Sequence, residues 1–566
     1  MNDILYGLNE SQKKAVTTTE GPVMIIAGPG TGKTLTIVRR ISYLIHKGTN
    51  PERILGVTFT NRAANEMKKR AEDFLGKNAH KVFIGTFHLL GLRIIQDFFK
   101  DSFIIINRDE QENILKGLIK KSGMKLKQVA EKISRIKNYT EYIDDSIKTI
   151  FEKYQNTLKE KNAFDFDDLI CKSIDILSDN DNHGKYKDAF EYIMVDEYQD
   201  INPAQYRLLK LLTPKSRNLC VIGDSDQAIY AFRGADVTNF LNFDKDYTDV
   251  QKIALVDNYR STGIIIEASN ELIKNNLKRI ERKINPLKDT GLPIRIISLP
   301  DEKAEGKFII KEIERMIGGT SHYQMLQEGM NIEFSGQGFN FSDFAVLFRS
   351  NAQAQILEET FSLSGIPYQV IGKPPTINNK IINELKKLSP VEFYNKVIEN
   401  ISLKADSGDP VYIVLQNIAL QYQYNDFELS DMFVKLIQEI KLITPADIYN
   451  SKSDAVTLMT LHMSKGLEFR VVFITGVEEG LIPYNIKKDV TDIEEERRLF
   501  YVGMTRAKDE LFLTNTRSRF IYGHKHPQSP SPFLREIPEK FISNVYIPDK
   551  IDRIKKDGQI GLFTTL

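Results

Sequence analysis

Residues 23–46 pass directly from an apolar run, Val23-Met24-Ile25-Ile26, through Ala27-Gly28-Pro29-Gly30-Thr31-Gly32-Lys33-Thr34 into a helical pattern that ends at His46. Strand, glycine-rich loop and helix in this order commit the chain to a parallel sheet, because parallel strands need helical crossovers that then cover the sheet. The glycines let backbone N–H groups turn inward around an anion. Lys33 can meet β and γ phosphates, the Thr34 hydroxyl can reach Mg²⁺, and the helix presents its positive N-terminal end. The loop predicts binding of a nucleoside triphosphate with Mg²⁺ and leaves the reaction open.

A second segment far along the chain, Tyr501-Val502-Gly503-Met504-Thr505-Arg506-Ala507-Lys508, offers Arg506 as a candidate arginine finger. Along the chain, strand-like runs alternate with helical patterns in two regions, which predicts an α/β chain with two tandem parallel-sheet cores, the first of them carrying the P-loop of an NTPase. The first set of strands is 23–27, 54–58, 81–84, 192–195, 219–222 and 252–256. The second is 294–298, 344–348, 368–371, 456–460, 471–475 and 511–513. The expected organisation is a first core over 1–90 and 190–260, interrupted by a helical insertion over 91–189. A second core over 261–372 and 453–540 is interrupted by a shorter helical insertion over 373–452, with an amphipathic stretch at 432–442. A tail follows at 541–566. The stretch 335–340 reads as a surface loop.

For 566 residues the length prior gives about three or four domains, and 41% hydrophobic residues supply real cores. With 77 basic against 76 acidic residues there is no global electrostatic footprint for nucleic acid, so any such binding must use a local groove. Two cysteines, Cys171 and Cys220, are too few for a disulfide framework or a zinc cluster and fit a reducing compartment. No uninterrupted apolar run is long enough to span a bilayer, and the first nine residues lack a charged region followed by an apolar one. A cytoplasmic protein without membrane contact is expected.

Ile193-Met194-Val195-Asp196-Glu197-Tyr198-Gln199-Asp200 places two acids just past a buried strand, where ligands sit in open parallel sheets. Asp196 is placed to hold Mg²⁺ through water, and Glu197 to orient and deprotonate an attacking water. The pair favours hydrolysis over simple nucleotide binding.

The order of segments resembles superfamily 1A DNA helicases of the UvrD, Rep and PcrA type, over most of the chain. By that resemblance the cores are RecA-like. Gln12, in Leu8-Asn9-Glu10-Ser11-Gln12, would read the adenine edge. Phe59, Thr60 and Asn61, in Thr58-Phe59-Thr60-Asn61-Arg62, and His88, in Gly85-Thr86-Phe87-His88, would contact DNA. The segment 221–235 would couple nucleotide to DNA: Gln227 can sense the γ-phosphate, Tyr230 and Phe232 supply rings for bases, and Arg233 follows them. Tyr259 would stack on adenine and Arg260 would be a first arginine finger. Glu468, in Leu461-His462-Met463-Ser464-Lys465-Gly466-Leu467-Glu468, would serve the ribose, while His462 and Arg349 are further candidates for DNA. Arg260 and Arg506 would stabilise charge on the γ-phosphate oxygens in the transition state.

The chain departs from the pattern in places. It has no tryptophan, and Phe232 stands where relatives usually place one; Tyr198 replaces a usual phenylalanine; the second insertion is much shorter than in full-length relatives. Translocation is therefore better supported than processive unwinding. Near the end, Gln559, Leu562 and Phe563 form a Gln-x-x-Leu-Phe pattern resembling the peptide by which bacterial replication and repair proteins dock on a sliding clamp. The resemblance implies an ATP- and Mg²⁺-dependent single-stranded DNA translocase and 3′–5′ helicase that acts on single strands and single/double-strand junctions in repair, replication or recombination. Two alternatives stay open: a DNA-dependent ATPase that remodels protein–DNA complexes without separating strands, and a nucleotide-gated DNA-binding scaffold.

Overall fold

The computed structural model describes residues 2–99, 103–120, 123–179, 186, 189–318, 338–372, 438–439, 441–442, 444, 447, 449–450, 453–484, 492–521 and 524–547. The proposed clamp peptide at 559–563, most of the second insertion with 432–437 of its amphipathic stretch, and 335–337 of the expected loop lie outside the described residues. Contacts divide the chain into two units: Met1–Gly28, Gly32–Leu255 and Pro374–Tyr449 form one, and Pro29–Thr31, Val256–Lys373 and Asn450–Leu566 the other.

The first unit is built on six parallel strands in the spatial order Phe83–Thr86, Ile54–Thr58, Tyr192–Val195, Leu219–Gly223, Val23–Ala27 and Gln251–Leu255. The central strands are buried along their whole length, which is why they read as continuous apolar runs rather than alternating ones. Ile37, Val38, Ile41 and Leu44 of helix Lys33–His46 pack on this sheet with Ala64, Met67 and Ala71 of helix Asn61–Leu75. Because all six strands run the same way, the loops after Val23–Ala27, Tyr192–Val195, Leu219–Gly223, Ile54–Thr58 and Phe83–Thr86 leave by one edge of the sheet. That edge carries the expected nucleotide residues Lys33, Thr34, Asp196, Glu197 and Gln227 and the expected DNA residues Phe59, Tyr230, Phe232 and Arg233.

Within the insertion, helices Arg108–Ile119, Leu126–Lys137 and Asp145–Glu160 bury a cluster of their own around Leu115, Val129, Ile133, Ile147 and Tyr154. Helices Phe87–Phe98 and Phe166–Ser178 cross at Gly91, where a Cβ would lie 2.4 Å from the Leu169 carbonyl oxygen. Ser173 Oγ donates to the Gly91 carbonyl there at 3.0 Å. Replacing Gly91 with alanine is expected to cost about 2–3 kcal/mol by forcing the helices apart. The measurement is the midpoint of urea unfolding, and an unchanged midpoint would show that the crossing can yield.

The second unit holds seven parallel strands in the order Tyr368–Ile371, Val456–Thr460, Phe344–Phe348, Phe469–Ile474, Ala507–Thr516, Ile294–Leu299 and Ile542–Tyr546. Helices Glu302–Ile317 and Asn351–Ser364 cover its core through Ile309, Ile313, Leu357 and Phe361. Arg519, at the base of the antiparallel hairpin Ser518–Ile521/His524–Pro527, is buried between Glu305 at 2.8 Å and Glu478 at 2.7 Å. Among the described residues no helix is long and apolar enough to cross a membrane.

The structure moves several expected boundaries. The strand expected at 81–84 starts at Phe83, because Gly76–Lys81 closes a 3-10 turn first. The strand expected at 511–513 is the middle of Ala507–Thr516. Ile542–Tyr546, read as tail, is an edge strand; four of its five residues are exposed, so it lacks the apolar signature of its neighbours. The division between units falls at Val256 rather than after 260: Asp257–Asn258 pairs with Asn285–Pro286, and Asn258 Oδ1 accepts from the backbone N–H of Arg260 and Ser261. Pro374–Tyr449, expected as a satellite of the second core, groups with the first unit.

Candidate active site

The phosphate loop takes the shape its glycines permit. Gly30 and Gly32 have φ of 66° and 86°, the left-handed region that a side chain disfavours. Gly32 precedes helix Lys33–His46, so the helix's first turn presents its backbone N–H groups beside the Lys33 and Thr34 side chains, the arrangement that suits an anion. Ala27 ends the buried strand, and Gly28 N donates to Leu255 O at 3.5 Å. Gln12 sits against the loop. Its Oε1 accepts from Asn9 N at 3.1 Å in a capping box, and its Nε2 lies 2.8 Å from where a Cβ on Gly32 would stand.

Asp196 and Glu197 follow Tyr192–Val195 as expected. Asp196 is buried and its Oδ1 accepts from Glu197 N at 2.9 Å. Glu197 has φ of 51°, a left-handed conformation that costs a non-glycine residue energy and that clusters at working sites. Gln199 then ties two loops together. Its Nε2 donates to Glu197 Oε2 at 2.5 Å, while its Oε1 accepts from Asp224 N at 2.9 Å. Asp224 Oδ2 in turn accepts from Gln227 Nε2 at 2.5 Å. Glu197, Gln199, Asp224 and Gln227 thus form one chain of hydrogen bonds across adjacent strand ends. Sequence reasoning assigned no role to Gln199 or Asp224; the signal available was their place in the two segments already singled out.

Continuing along that second loop, Tyr230 stacks on Phe59 with ring centroids 4.6 Å apart and planes 24° apart. Phe232 lies 6.0 Å from Tyr230 and is 55% exposed, and the Arg233 guanidinium sits 5.4 and 5.5 Å from those two rings. Tyr230 itself is buried, so Phe232 is the ring of the pair with the open surface. His88 packs edge-on to Phe166 at 6.4 Å; burial, then the nearby Arg233 charge, push its pKa down to about 4, so it is a neutral imidazole at physiological pH.

Several residues expected to contact DNA also make bonds within the protein. Thr60 Oγ1 caps helix Asn61–Leu75 by accepting from Ala63 N at 3.1 Å. Asn61 Nδ2 donates to Leu442 O at 3.0 Å and Asp447 Oδ2 at 3.1 Å, and Arg62 N donates to Asp447 Oδ1 at 3.0 Å. In the second unit Arg349 grips Glu496 with two bonds, of 3.0 and 2.6 Å, and lies over the Tyr484 ring. His462 is half-buried on the turn Leu461–Ser464.

The second unit also arranges the two candidate fingers. Arg260 Nε donates to Glu468 Oε2 at 2.7 Å and Nη1 to Thr505 O at 3.2 Å. Lys508 pairs with the other Glu468 oxygen at 2.8 Å. Burial works to raise the Glu468 carboxyl, but Arg260 and Lys508 overcome it and hold it down at about 2. Arg506 is fully buried and donates to Val502 O, Leu467 O and Thr505 Oγ1 at 2.8, 3.2 and 3.0 Å. The Tyr259 ring is 47% exposed; its N–H donates to Gly30 O at 3.0 Å, and Asn258 Nδ2 donates to Pro29 O at 2.6 Å.

A model of the UvrD/REP helicase N-terminal domain matches residues 8–248, and one of the UvrD-like helicase C-terminal domain matches 253–385 and 412–518. The chain is 33% identical to the ATP-dependent DNA helicase PcrA of Staphylococcus aureus strain Mu50 over 660 aligned positions, covering 96% of this chain and 88% of that protein. It belongs to the UvrD/Rep/PcrA family of helicases. The PcrA of Staphylococcus epidermidis strain ATCC 12228 is similar at 32% identity, with the same coverage. The two UvrD-type models meet at 248–253, close to the division between units at Val256, and residues 386–411 of the second insertion fall outside the match.

Proposed function

We propose that this UvrD-type chain is an ATP-dependent DNA helicase that moves along single-stranded DNA in the 3′ to 5′ direction. One observation carries the reading. The hydrogen-bond chain from Glu197 through Gln199 and Asp224 to Gln227 runs into the same loop that bears Tyr230, Phe232 and Arg233, so the acid's loop is bonded directly to the loop of the rings.

In this reading Lys33 and the loop N–H groups hold the β and γ phosphates, Gln12 and Tyr259 hold the adenine, and Glu468 serves the ribose. Glu197 takes a proton from the attacking water, and Gln227 registers the γ-phosphate. Arg260 and Arg506 are assigned to the charge that builds on the γ-phosphate oxygens. Thr34 and Asp196 are hard oxygen donors of the kind Mg²⁺ takes with several waters, so the donor set fits that ion. Bound there, Mg²⁺ neutralises phosphate charge. A base stacks on Phe232, an exposed ring, with Arg233 beside it for the backbone. Arg349, Asn61 and His462 are assigned secondary contacts. Gln559, Leu562 and Phe563 are carried as a clamp-docking peptide.

The test is ATP turnover with and without single-stranded DNA, together with strand displacement on 3′-tailed, 5′-tailed and RNA substrates. Turnover stimulated by DNA and displacement of the 3′-tailed duplex alone are expected, and Lys33→Ala should abolish both while leaving the melting temperature in place. Stimulated turnover without displacement would point to remodelling without strand separation. Nucleotide-dependent DNA binding without turnover would point to a scaffold.

A further inference from the structure

Helix Leu126–Lys137 of the helical insertion ends in a tight turn over 138–140 that touches both halves of the first unit's working edge. Tyr139 has φ of 59°, a strained conformation for a ring-bearing residue. The turn is closed by Tyr139 N to Ile136 O at 3.1 Å and by Thr140 N to Arg135 O at 2.9 Å. Each of its three side chains then meets something outside the helix it ends. Asn138 Nδ2 donates to Asp167 Oδ1 at 2.7 Å, and Asn138 Oδ1 accepts from Asn202 Nδ2 at 2.8 Å. The Tyr139 ring lies 5.6 Å from the Arg207 guanidinium. The Thr140 methyl stands 3.1 Å from where a Cβ on Gly234 would be.

Two of those partners, Asn202 and Gly234, stand at the ends of the two loops described above. Asn202 caps helix Pro203–Leu212 and lies two residues after Asp200, whose N–H donates to Glu197 O at 2.9 Å. Gly234 directly follows Arg233, and Asp236 N donates to Ile201 O at 3.1 Å, which joins the two loops again. We infer that the turn over 138–140 is a coupling element that registers the helical insertion on the acid loop and the ring loop at once, with Asn138 joining the insertion to the segment after the acid rather than to the acid itself. The inference rests on the helicase reading and adds a way for DNA held against the insertion to be felt at the acid. Through the amide pair Asn138–Asn202, a shift of helix Leu126–Lys137 displaces the segment after Glu197; through Thr140 and Gly234, it displaces Phe232 and Arg233.

The experiment compares Asn138→Ala, Asn202→Ser and their double variant in the full chain. Serine at 202 can still cap the following helix but loses the amide donor, so the fold has a second safeguard. ATP turnover is measured with and without a single-stranded oligonucleotide, oligonucleotide affinity by fluorescence anisotropy, and melting temperature alongside. Each single variant is expected to lower the DNA-stimulated kcat about tenfold, with DNA-free turnover, KM for ATP and oligonucleotide affinity within about twofold. The double variant should be no worse than either single, as for two ends of one link. Stimulated kcat at the wild-type level in both singles overturns the inference, as does an equal fall in stimulated and DNA-free turnover, which would mark a merely structural residue. A wild-type chain without DNA stimulation overturns the helicase reading and this inference with it, whereas a stimulated wild type with fully stimulated variants overturns the coupling role alone.

Discussion

Glu197→Gln is expected to lower DNA-stimulated ATP turnover by about 10²–10⁴-fold, the range for losing a positioned general base, while nucleotide binding persists. The substitution is chosen for what it leaves alone. Glutamine has the same shape and backbone preferences, so the left-handed conformation at 197 is no more strained than before, and its side-chain oxygen can still accept from Gln199 Nε2, the 2.5 Å bond of the native chain. The link onward to Asp224 and Gln227 is therefore kept, and only the proton acceptor is removed. Phosphate release at saturating single-stranded DNA measures the loss, with a fluorescent ATP analogue reporting binding. Turnover within a factor of ten of wild type would assign the base elsewhere.

The second large effect is at Arg506. Alanine there is expected to reduce turnover by about 10³-fold or more, as for removal of an arginine finger, and also to weaken the fold. The destabilisation follows from burial: Val502 O and Leu467 O would each lose a donor that water cannot replace, at a cost of about 1–3 kcal/mol apiece. Arg506→Lys separates the two effects. A lysine keeps the charge and one donor but not the planar fork, so it should recover much of the lost melting temperature while turnover stays low. Turnover recovering in step with stability would mean that Arg506 acts through packing alone.

The parallel sheets were legible because buried parallel strands are apolar throughout and punctuated by turns; Val23–Ala27, Ile54–Thr58, Tyr192–Val195, Phe344–Phe348, Tyr368–Ile371 and Val456–Thr460 stand where the pattern puts them. The glycine loop and its helix were legible for the same local reason. What could not be read is set by spatial order. Gln199 reaches Asp224 because Leu219–Gly223 lies beside Tyr192–Val195, and chain order does not specify that neighbour. Asn61 and Arg349, read as candidate DNA contacts, also bond Asp447 and Glu496, 386 and 147 residues away, and no local pattern announces such partners. The inward turn of Arg506 belongs here too: a finger and a buried structural arginine have the same sequence signature, and the carbonyls that receive it are a property of packing.

The bond from Asp447 to the start of helix Asn61–Leu75 bears on how this protein can be shortened. The residues leading up to it are tied to the first unit as well: Leu442 packs with Leu92, Ile95, Phe103 and Phe164, and Gln438 bonds to Gln96 at 2.5 Å. The described residues between 438 and 449 are thus docked rather than spare linker. A deletion designed from the expected boundary at 452 would leave an apolar seat open and strip a cap from the helix that follows Phe59 and Thr60. One that stops short of Gln438 keeps both, so the excision point, more than the amount of chain removed, decides whether a trimmed chain still folds at that edge of its first sheet.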